Sequence, residues 1–276
     1  MDFEYQSAEA LAARIPDGAS LTVPSTRAGV PMELARALVR RGAKDLHLIT
    51  VPAGGMFVDL LIGAGCVKRI ETSGVSLDEY GPARRFMTAV KSGSVELVDA
   101  TCAAVFAGLS AAEKAVPFMP IRGIIGSDLA RYRDDWKVVQ NPMAGDGVDD
   151  PILLVSAIKP DFAVFHAPIG DQEGNVWVGR ERDLITMAHG AAETLVTVEE
   201  MVEGDLFDDP RLASGTMSSL YVGAMAVAEK GAWPLELPGR YTVDGAHMAD
   251  YAKASASDEG FAAYIEEEVL GRGAAA

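Results

Sequence analysis

The chain has 276 residues, 49% of them hydrophobic, enough for one large α/β domain with a sizeable core. Forty acidic residues against 24 basic ones give a net charge of −16, which excludes a nucleic-acid binder and a polybasic membrane anchor, since both need basic patches. No run of about 18 uninterrupted apolar residues occurs, so no membrane span is expected, and the acidic opening MDFEYQSAEA lacks the layout of a signal peptide. A cytoplasmic location follows as the expectation, with Cys66 and Cys102 as buried free thiols.

Residues 8–14 carry a helical apolar period closed by Ile15-Pro16-Asp17-Gly18, and residues 20–23 form a short β run. Residues 32–41 predict an amphipathic helix, with Leu34, Leu38 and Val39 on one face and Arg36, Arg40 and Arg41 on another. Pro31 suits its first turn and Gly42 ends it. A buried-type strand at 46–51, a helix at 57–64, a strand at 67–70, a helix at 82–91 and a strand at 95–98 follow. Strands separated by helices in this way require crossover connections and hence a mostly parallel sheet. The Gly/Asp-rich stretch 141–150 reads as a loop inside a single domain spanning 1–276, not as a linker. Beyond it, 152–158, 162–166 and 194–198 are strands, 184–192 is a helix, 246–253 and 259–270 are closing helices, and 271–276 is a frayed tail.

The stretch 159–179, KPDFAVFHAPIGDQEGNVWVG, is the most distinctive. An apolar run at 163–166 is followed by a polar turn at 168–175 and a second apolar run at 176–178, which is a strand–turn–strand pattern. The turn Asp-Gln-Glu-Gly-Asn is expected outside the core, with Gly174-Asn175 tolerating positive φ. Pro160-Asp161, the apolar run, His166-Ala167 and then Asp171-x-x-Gly174-Asn175-Val176 together resemble the A (α) subunits of heteromeric CoA-transferases of the glutaconate and 3-oxoacid type. The resemblance runs from about residue 8 to 179 and thins after 190. It implies an open, mostly parallel sheet flanked by helices in three α/β/α layers. It also implies a B-type partner in a hetero-oligomer, and movement of CoA between an acyl-CoA and a carboxylic acid. No metal or organic cofactor is implied; CoA is a substrate.

Ligands of open parallel sheets gather beyond the carboxyl ends of the strands. Three loops qualify: 24–31 (PSTRAGVP), 52–56 (PAGGM) and 73–81 (SGVSLDEYG). The first runs into a helix, and Ser25, Thr26 and Arg27 add donors to its backbone N–H groups. Of the G-x-G-x-x-G-x-P loop that 3-oxoacid A subunits carry here, Gly29-x-Pro31 survives. Arg27 reads either as a two-hydrogen-bond clamp for a carboxylate or as a solvated surface charge.

B subunits carry a nucleophilic glutamate where this chain has Val51-Pro52-Ala53-Gly54-Gly55, so the chain reads as the A type, with no catalytic residue of its own. The Asn-Asn-Ala-Gly of 3-oxoacid A subunits is also missing, which points toward the glutaconate-like branch. Gly54 and Gly55 amides are candidates to replace the lost side-chain amide. Ser73 and Gly74 continue the resemblance, and Pro120, Arg122 and Gly126 match a further family segment within 117–128, read as an irregular loop. Arg122 reads as a substrate contact or as a loop support.

The substrate-side candidates are therefore Ser25, Thr26, Arg27, Gly29, Ala53, Gly54, Gly55, Ser73, Gly74 and Arg122. Glu71, just before the third loop, reads as a general acid or base, or as an ion-paired side chain with Arg84 or Arg85 as partner. His47, His166, His189 and His247 show no metal spacing, and His166 reads as a hydrogen-bonded structural histidine. Two alternatives stand beside the transferase. One is a ring-cleaving acyl-CoA hydrolase, which would need an acid near 99–105, where Asp99 is the one acid present. The other is a non-catalytic binding subunit.

Overall fold

The computed structural model describes residues 3–27 and 29–271; Ala28, in the first candidate loop, and residues 272–276 of the expected tail lie outside the described residues. The first half alternates as expected: β1 (Tyr5–Gln6), α1 (Ala8–Arg14), β2 (Ser20–Pro24), α2 (Met32–Arg41), β3 (Leu46–Val51), α3 (Met56–Gly63), β4 (Val67–Thr72), α4 (Arg84–Ser92), β5 (Glu96–Asp99) and α5 (Cys102–Glu113). Next come β6 (Phe118–Ile121), α6 (Leu129–Tyr132), β7 (Trp136–Gln140), β8 (Pro151–Ser156), β9 (Phe162–Asp171) and β10 (Val176–Trp177). The chain closes with α7 (Arg182–Gly190), β11 (Glu193–Val202), β12 (Thr216–Met217), β13 (Ala224–Val227), α8 (Gly245–Ala254) and α9 (Asp258–Tyr264), which runs into a π-turn at Ile265–Val269.

Eight strands form the body of the main sheet in the order β1-β13-β11-β9-β2-β3-β4-β5, every neighbouring pair parallel. Antiparallel β10 and β12 extend it beside β9. Period-2 alternation in the buried strands feeds two cores, one on each face. Along β9, Phe162 and Val164 enter one core while Ala163, Phe165 and Ala167 enter the other. Along β13, Ala224 and Ala226 face the first and Met225 the second. The first core is covered by α1, α2, α3, α8 and α9, and the second by α5, α7 and a small antiparallel sheet, β6-β8-β7. This is the expected three-layer α/β/α arrangement. No helix among the described residues is long and apolar enough to cross a membrane.

From β2 the chain steps outward through β3, β4 and β5; from β9 it steps the other way through β11 and β13. The reversal falls between β2 and β9, and a crevice opens at the carboxyl ends of strands on either side of such a reversal.

Four local expectations are corrected. The hairpin turn is 172–175, because β9 runs on to Asp171. The acidic turn is also partly core: Asp171 is 0% and Asn175 5% exposed. Four donors make that burial tolerable, since the Asp171 carboxylate accepts from Glu173 N (3.0 Å), Asn175 N (2.8 Å), Asn175 Nδ2 (2.9 Å) and Leu206 N (2.8 Å). The stretch 117–128 opens with strand β6, where Pro120 is accommodated because β6 is an edge strand. Glu71 is not paired with Arg84 or Arg85. Buried Arg133 takes it at 2.7 Å, while also donating to Asp135 and to the Asp99 carbonyl and stacking 4.2 Å over Trp136. That arginine joins the edge of the main sheet to the small one.

The closing helices are tied down by a second buried polar group. Asp59 on α3 accepts from Tyr251 Oη of α8 (2.8 Å) and from Phe86 N of α4 (2.8 Å), and both Asp59 and Tyr251 are 0% exposed. Burial raises the Asp59 pKa against those two hydrogen bonds.

Tyr251→Phe removes one donor from a buried carboxyl and should cost about 1–3 kcal/mol, read as a lower denaturant midpoint at unchanged slope. Because the folded chain holds the Asp59 proton more tightly than the unfolded chain, this group's contribution is complete below about pH 4 and is lost as pH rises. Asp59→Asn should therefore gain on the wild type as pH is raised, and a pH-independent difference would contradict the assignment. Arg133→Met strands Glu71 and should cost about 3–5 kcal/mol; adding Glu71→Gln should recover part of the loss in the same denaturation measurement.

Candidate functional site

The carboxyl ends of β2, β3 and β4 deliver the three candidate loops to one place, and short contacts interlock them. Ser73 donates to the Pro52 carbonyl through both its N–H (3.2 Å) and its hydroxyl (2.8 Å). Gly54 N donates to Gly74 O (2.9 Å), and Ser76 N donates to Gly54 O (3.1 Å). Beneath them, the buried hydroxyls of Thr50 and Thr72 lie 2.6 Å apart; Thr50 donates to Pro52 O (2.9 Å) and Thr72 accepts from Gly74 N (3.0 Å). The space is filled. A Cβ on Gly54 would lie 2.7 Å from Val58 Cγ2 and 2.9 Å from Thr50 Cγ2, and one on Gly55 would lie 3.0 Å from Thr26 Cγ2.

Thr26, Ala53, Gly54, Gly55, Ser73 and Gly74 are thus brought together, with Ser25 on the same loop as Thr26. The amides divide unexpectedly. Gly54 N–H is consumed by Gly74, whereas among the described residues the N–H groups of Ala53 and Gly55 donate to no carbonyl. Gly55 is the N-cap of α3 and no side chain caps that helix, so the first amides of α3 lack a capping acceptor next to this cluster.

Gly29 closes the first loop against β9. Its carbonyl accepts from His166 N at 2.7 Å, its φ is +72°, and a Cβ there would sit 2.0 Å from the His166 carbonyl oxygen, so no other residue fits. His166 is fully buried and both ring nitrogens are partnered, Nδ1 with Thr197 Oγ1 (2.8 Å) and Nε2 with Glu199 Oε2 (3.0 Å). Tyr241 Oη also donates to Glu199 Oε2 (3.1 Å) and Lys230 N to Oε1 (2.7 Å). Burial pushes the imidazole pKa down against the pull of Glu199. Burial alone would raise the Glu199 pKa, yet the donors around it hold it below the usual range. A neutral, fully satisfied histidine fixes the strand that carries Gly29's partner.

The remaining candidates lie apart. Glu71 is turned into the Arg133 cluster. Arg122 forks onto Asp150 across the small sheet, and that arginine holds the Asp150 pKa down at about 2. Arg27 is exposed, with Glu79 at 4.0 Å and Glu236 at 3.9 Å. Cys102 corrects a further expectation. It is exposed rather than buried, because it opens α5 ahead of the turn whose Ala104 and Val105 enter the core. Its thiol lies 3.4 Å from Ser73 Oγ. No sequence signal links a helix-opening cysteine to a serine 29 residues earlier.

The Coenzyme A transferase family model matches residues 5–210. The chain is 27% identical over 270 residues to the A subunit of the 3-oxoadipate CoA-transferase of Pseudomonas knackmussii, covering 95% of this chain and 92% of that one. It is 29% identical over 249 residues to the IpdA subunit of the cholesterol ring-cleaving hydrolase of Rhodococcus jostii, covering 87% and 83%. To the A subunit of the glutaconate CoA-transferase of Acidaminococcus fermentans it is 28% identical over 259 residues, covering 84% and 77%. The crystal structure of that enzyme matches with a TM-score of 0.86 at 24% identity, over 97% of this chain and 89% of that one. With the family model spanning most of its length, the chain belongs to the Coenzyme A transferase family, as an enzyme subunit of the A type.

Proposed function

We propose that this chain is the A half of a two-subunit CoA-transferase that moves CoA between an acyl-CoA and a free carboxylic acid, with the reacting glutamate supplied by a B-type partner. The observation that carries this reading is the interlocked part of the loop cluster, Thr26, Ala53–Gly55 and Ser73–Ser76, which offers amide donors and no carboxylate. The acids nearest to it in sequence are turned elsewhere: Asp78 and Glu79, at the far end of the third loop, are exposed, with Glu79 4.0 Å from Arg27, Asp59 is held by Tyr251 and Phe86 N, Glu71 is tied to Arg133, and Asp99 is exposed at the far edge strand. The hydrolase alternative needs an acid near 99–105, and the one present there, Asp99, is exposed on the edge strand β5.

In this reading the partner's glutamate attacks the acyl-CoA carbonyl. The C–S bond breaks, CoA leaves as thiolate and an acyl-glutamyl anhydride remains. The thiolate then attacks the glutamyl carbonyl, releases the acid and leaves a glutamyl-CoA thioester, and an incoming acid reverses both steps. Each addition places negative charge on a carbonyl oxygen. The Ala53 and Gly55 N–H groups, with the open end of α3 behind them, are the donors this chain sets out for it, and they need no reorganisation as that charge appears. Thr26 and Ser73 hold those donors in place from either side. Arg27, with two acids near it, is a poor carboxylate clamp, and Arg122 serves the hairpin at 141–150.

Purified gently from its native cells, the chain should carry a near-equimolar second chain with glutamate at the strand end that matches Pro52, and the pair should exchange CoA between an acyl-CoA and acetate. A chain that elutes alone and inert would sink the two-subunit reading. Gly54→Ala should leave the pair assembled but move the loop by a few tenths of an ångström and lower kcat/KM at least about tenfold, since misplacement on this scale is costly at a reacting centre. Unchanged kcat/KM in steady-state assays would remove Ala53–Gly55 from the site.

A further inference from the structure

An unpaired sheet edge is a template for another strand, and proteins blunt such edges with short strands, charges and proline. Among the described residues, most edges of this protein are blunted in that way. β1 and β12 are two residues long. β5 carries Glu96 and Asp99, and Arg133 covers its end by donating to the Asp99 carbonyl (3.2 Å). β6, one edge of the small sheet, holds Pro120. The other edge of that sheet, β7, is different. It has five residues, Trp-Lys-Val-Val-Gln, with no proline and no acid. Val138 on it is 48% exposed.

The ladder to β8 fixes which backbone groups of β7 are spare. Asn141 N donates to Asp150 O (2.9 Å). In the register that continues from there, Lys137 and Val139 bond to β8, while Trp136, Val138 and Gln140 turn their N–H and C=O groups away from it. The far side of β8 agrees. Ala157 N donates to Pro117 O (3.0 Å), which commits Val155 and Leu153 to β6 and leaves Leu154 and Ile152 to β7. Of the three groups turned outward on β7, Trp136 N is already used by Arg133 O (3.2 Å). The N–H groups of Val138 and Gln140 meet no carbonyl among the described residues. Pro142, just past the strand, has no N–H to offer.

We infer that β7 pairs with β7 of a second copy of this chain, antiparallel about a two-fold axis at Val139, so that two three-stranded sheets become one of six strands. In this register Val138 of each copy lies opposite Gln140 of the other. Each spare N–H then meets a strand carbonyl, four hydrogen bonds in all, and a two-fold pairing satisfies both copies alike. An axis one residue earlier puts the second copy's Gln140 where Arg133 O sits against Trp136, and an axis one residue later relies on Pro142, which has left the strand. Charge favours the same register. Lys137, the one charge on β7, falls opposite the second copy's Asn141, whose side chain is bonded to Asp150 (2.8 Å) in a hairpin that also carries Asp146 and Asp149. Two chains of −16 each thus meet where a lysine of one approaches the acids of the other. β7 adds no residue to the loops at 24–31, 52–56 and 73–81, so each copy keeps its candidate site open to a B-type partner in a 2:2 assembly.

Sedimentation of the full chain over a concentration series, alone and with its B-type partner, should find two copies of this chain per particle. Val138→Pro removes a donor that faces away from β8, so the far-UV circular dichroism and the denaturant midpoint should stay in place. The same variant should raise the dimer Kd at least about tenfold, because two of the four hydrogen bonds are lost. A second variant reads the register directly. At the axis the two copies of residue 139 form a non-hydrogen-bonded pair with Cα atoms about 4.5 Å apart, within reach of a disulfide. In a Cys102→Ser background, which keeps the exposed native thiol out of the reaction, Val139→Cys should therefore give a reducible covalent dimer on mild oxidation, and Lys137→Cys should give none. Single copies at every concentration, alone and with the partner, would overturn the inference. So would a dimer that Val138→Pro leaves at the wild-type Kd, a 1:1 pair from which Val138→Pro releases the B-type partner, or cross-linking through Lys137→Cys in place of Val139→Cys.

Discussion

The contact between Gly29 and His166 is the constraint on which the site depends. Strands β2 and β9 are neighbours in the sheet, yet the chain leaves them in opposite directions, and a gap must open past their carboxyl ends. A 2.7 Å hydrogen bond from His166 N to Gly29 O spans that gap. It is possible only because residue 29 has no Cβ and accepts a φ of +72°. His166 is immobilised in turn by Thr197 and Glu199, and Glu199 by Tyr241 and the Lys230 amide. On one side of this junction lie the interlocked loops, whose Ala53 and Gly55 amides meet no carbonyl among the described residues. On the other lies a cavity of about 500 Å³ lined by Trp177, Arg180, Arg182 and Arg211.

Buried polar and charged groups in this protein serve joints between layers. Arg133 and Glu71 connect the edge of the main sheet to the small one, Asp59 and Tyr251 fasten the closing helices to α3, and Asp171 gathers the hairpin turn and the segment at Leu206 around one carboxylate. Each of these groups would be costly to bury alone and is acceptable because its donors or counter-charge are complete. The loops proposed for chemistry hold no such group. They present backbone amides, which suits a chain that positions and stabilises while another chain supplies the reacting atom.

The first half of the fold is legible in the sequence because its signals are local. Apolar periods of 3.6 and 2 alternate from residue 8 to 99, with Pro31 and Gly42 marking the ends of α2, and the structure follows them to within about two residues. The second half is less so. Two-residue strands such as β10 and β12 carry no period, and β13, a four-residue run, does not stand out from loop. Glu71 pairs with Arg133 rather than with Arg84 or Arg85 because ion pairs follow distance in space. Asp171 and Asn175 resemble surface residues because their type favours water, and only the converging N–H groups of other segments explain their burial.

Periodicity and short motifs read along the chain are enough for the class of fold, the parallel sheet, the family resemblance and the three loops. Which members of those loops touch depends on packing. Packing separates Gly54, whose amide is consumed by Gly74, from Gly55, whose amide meets no carbonyl among the described residues. It turns Arg122 toward Asp150 and Glu71 toward Arg133. It also assembles Gly29, Trp177, Arg182 and Arg211 around one cavity. The physical reason is common to all of these: hydrogen bonds and charges act over a few ångströms, and residues far apart in the chain reach that range only once both cores have packed the sheet between its layers.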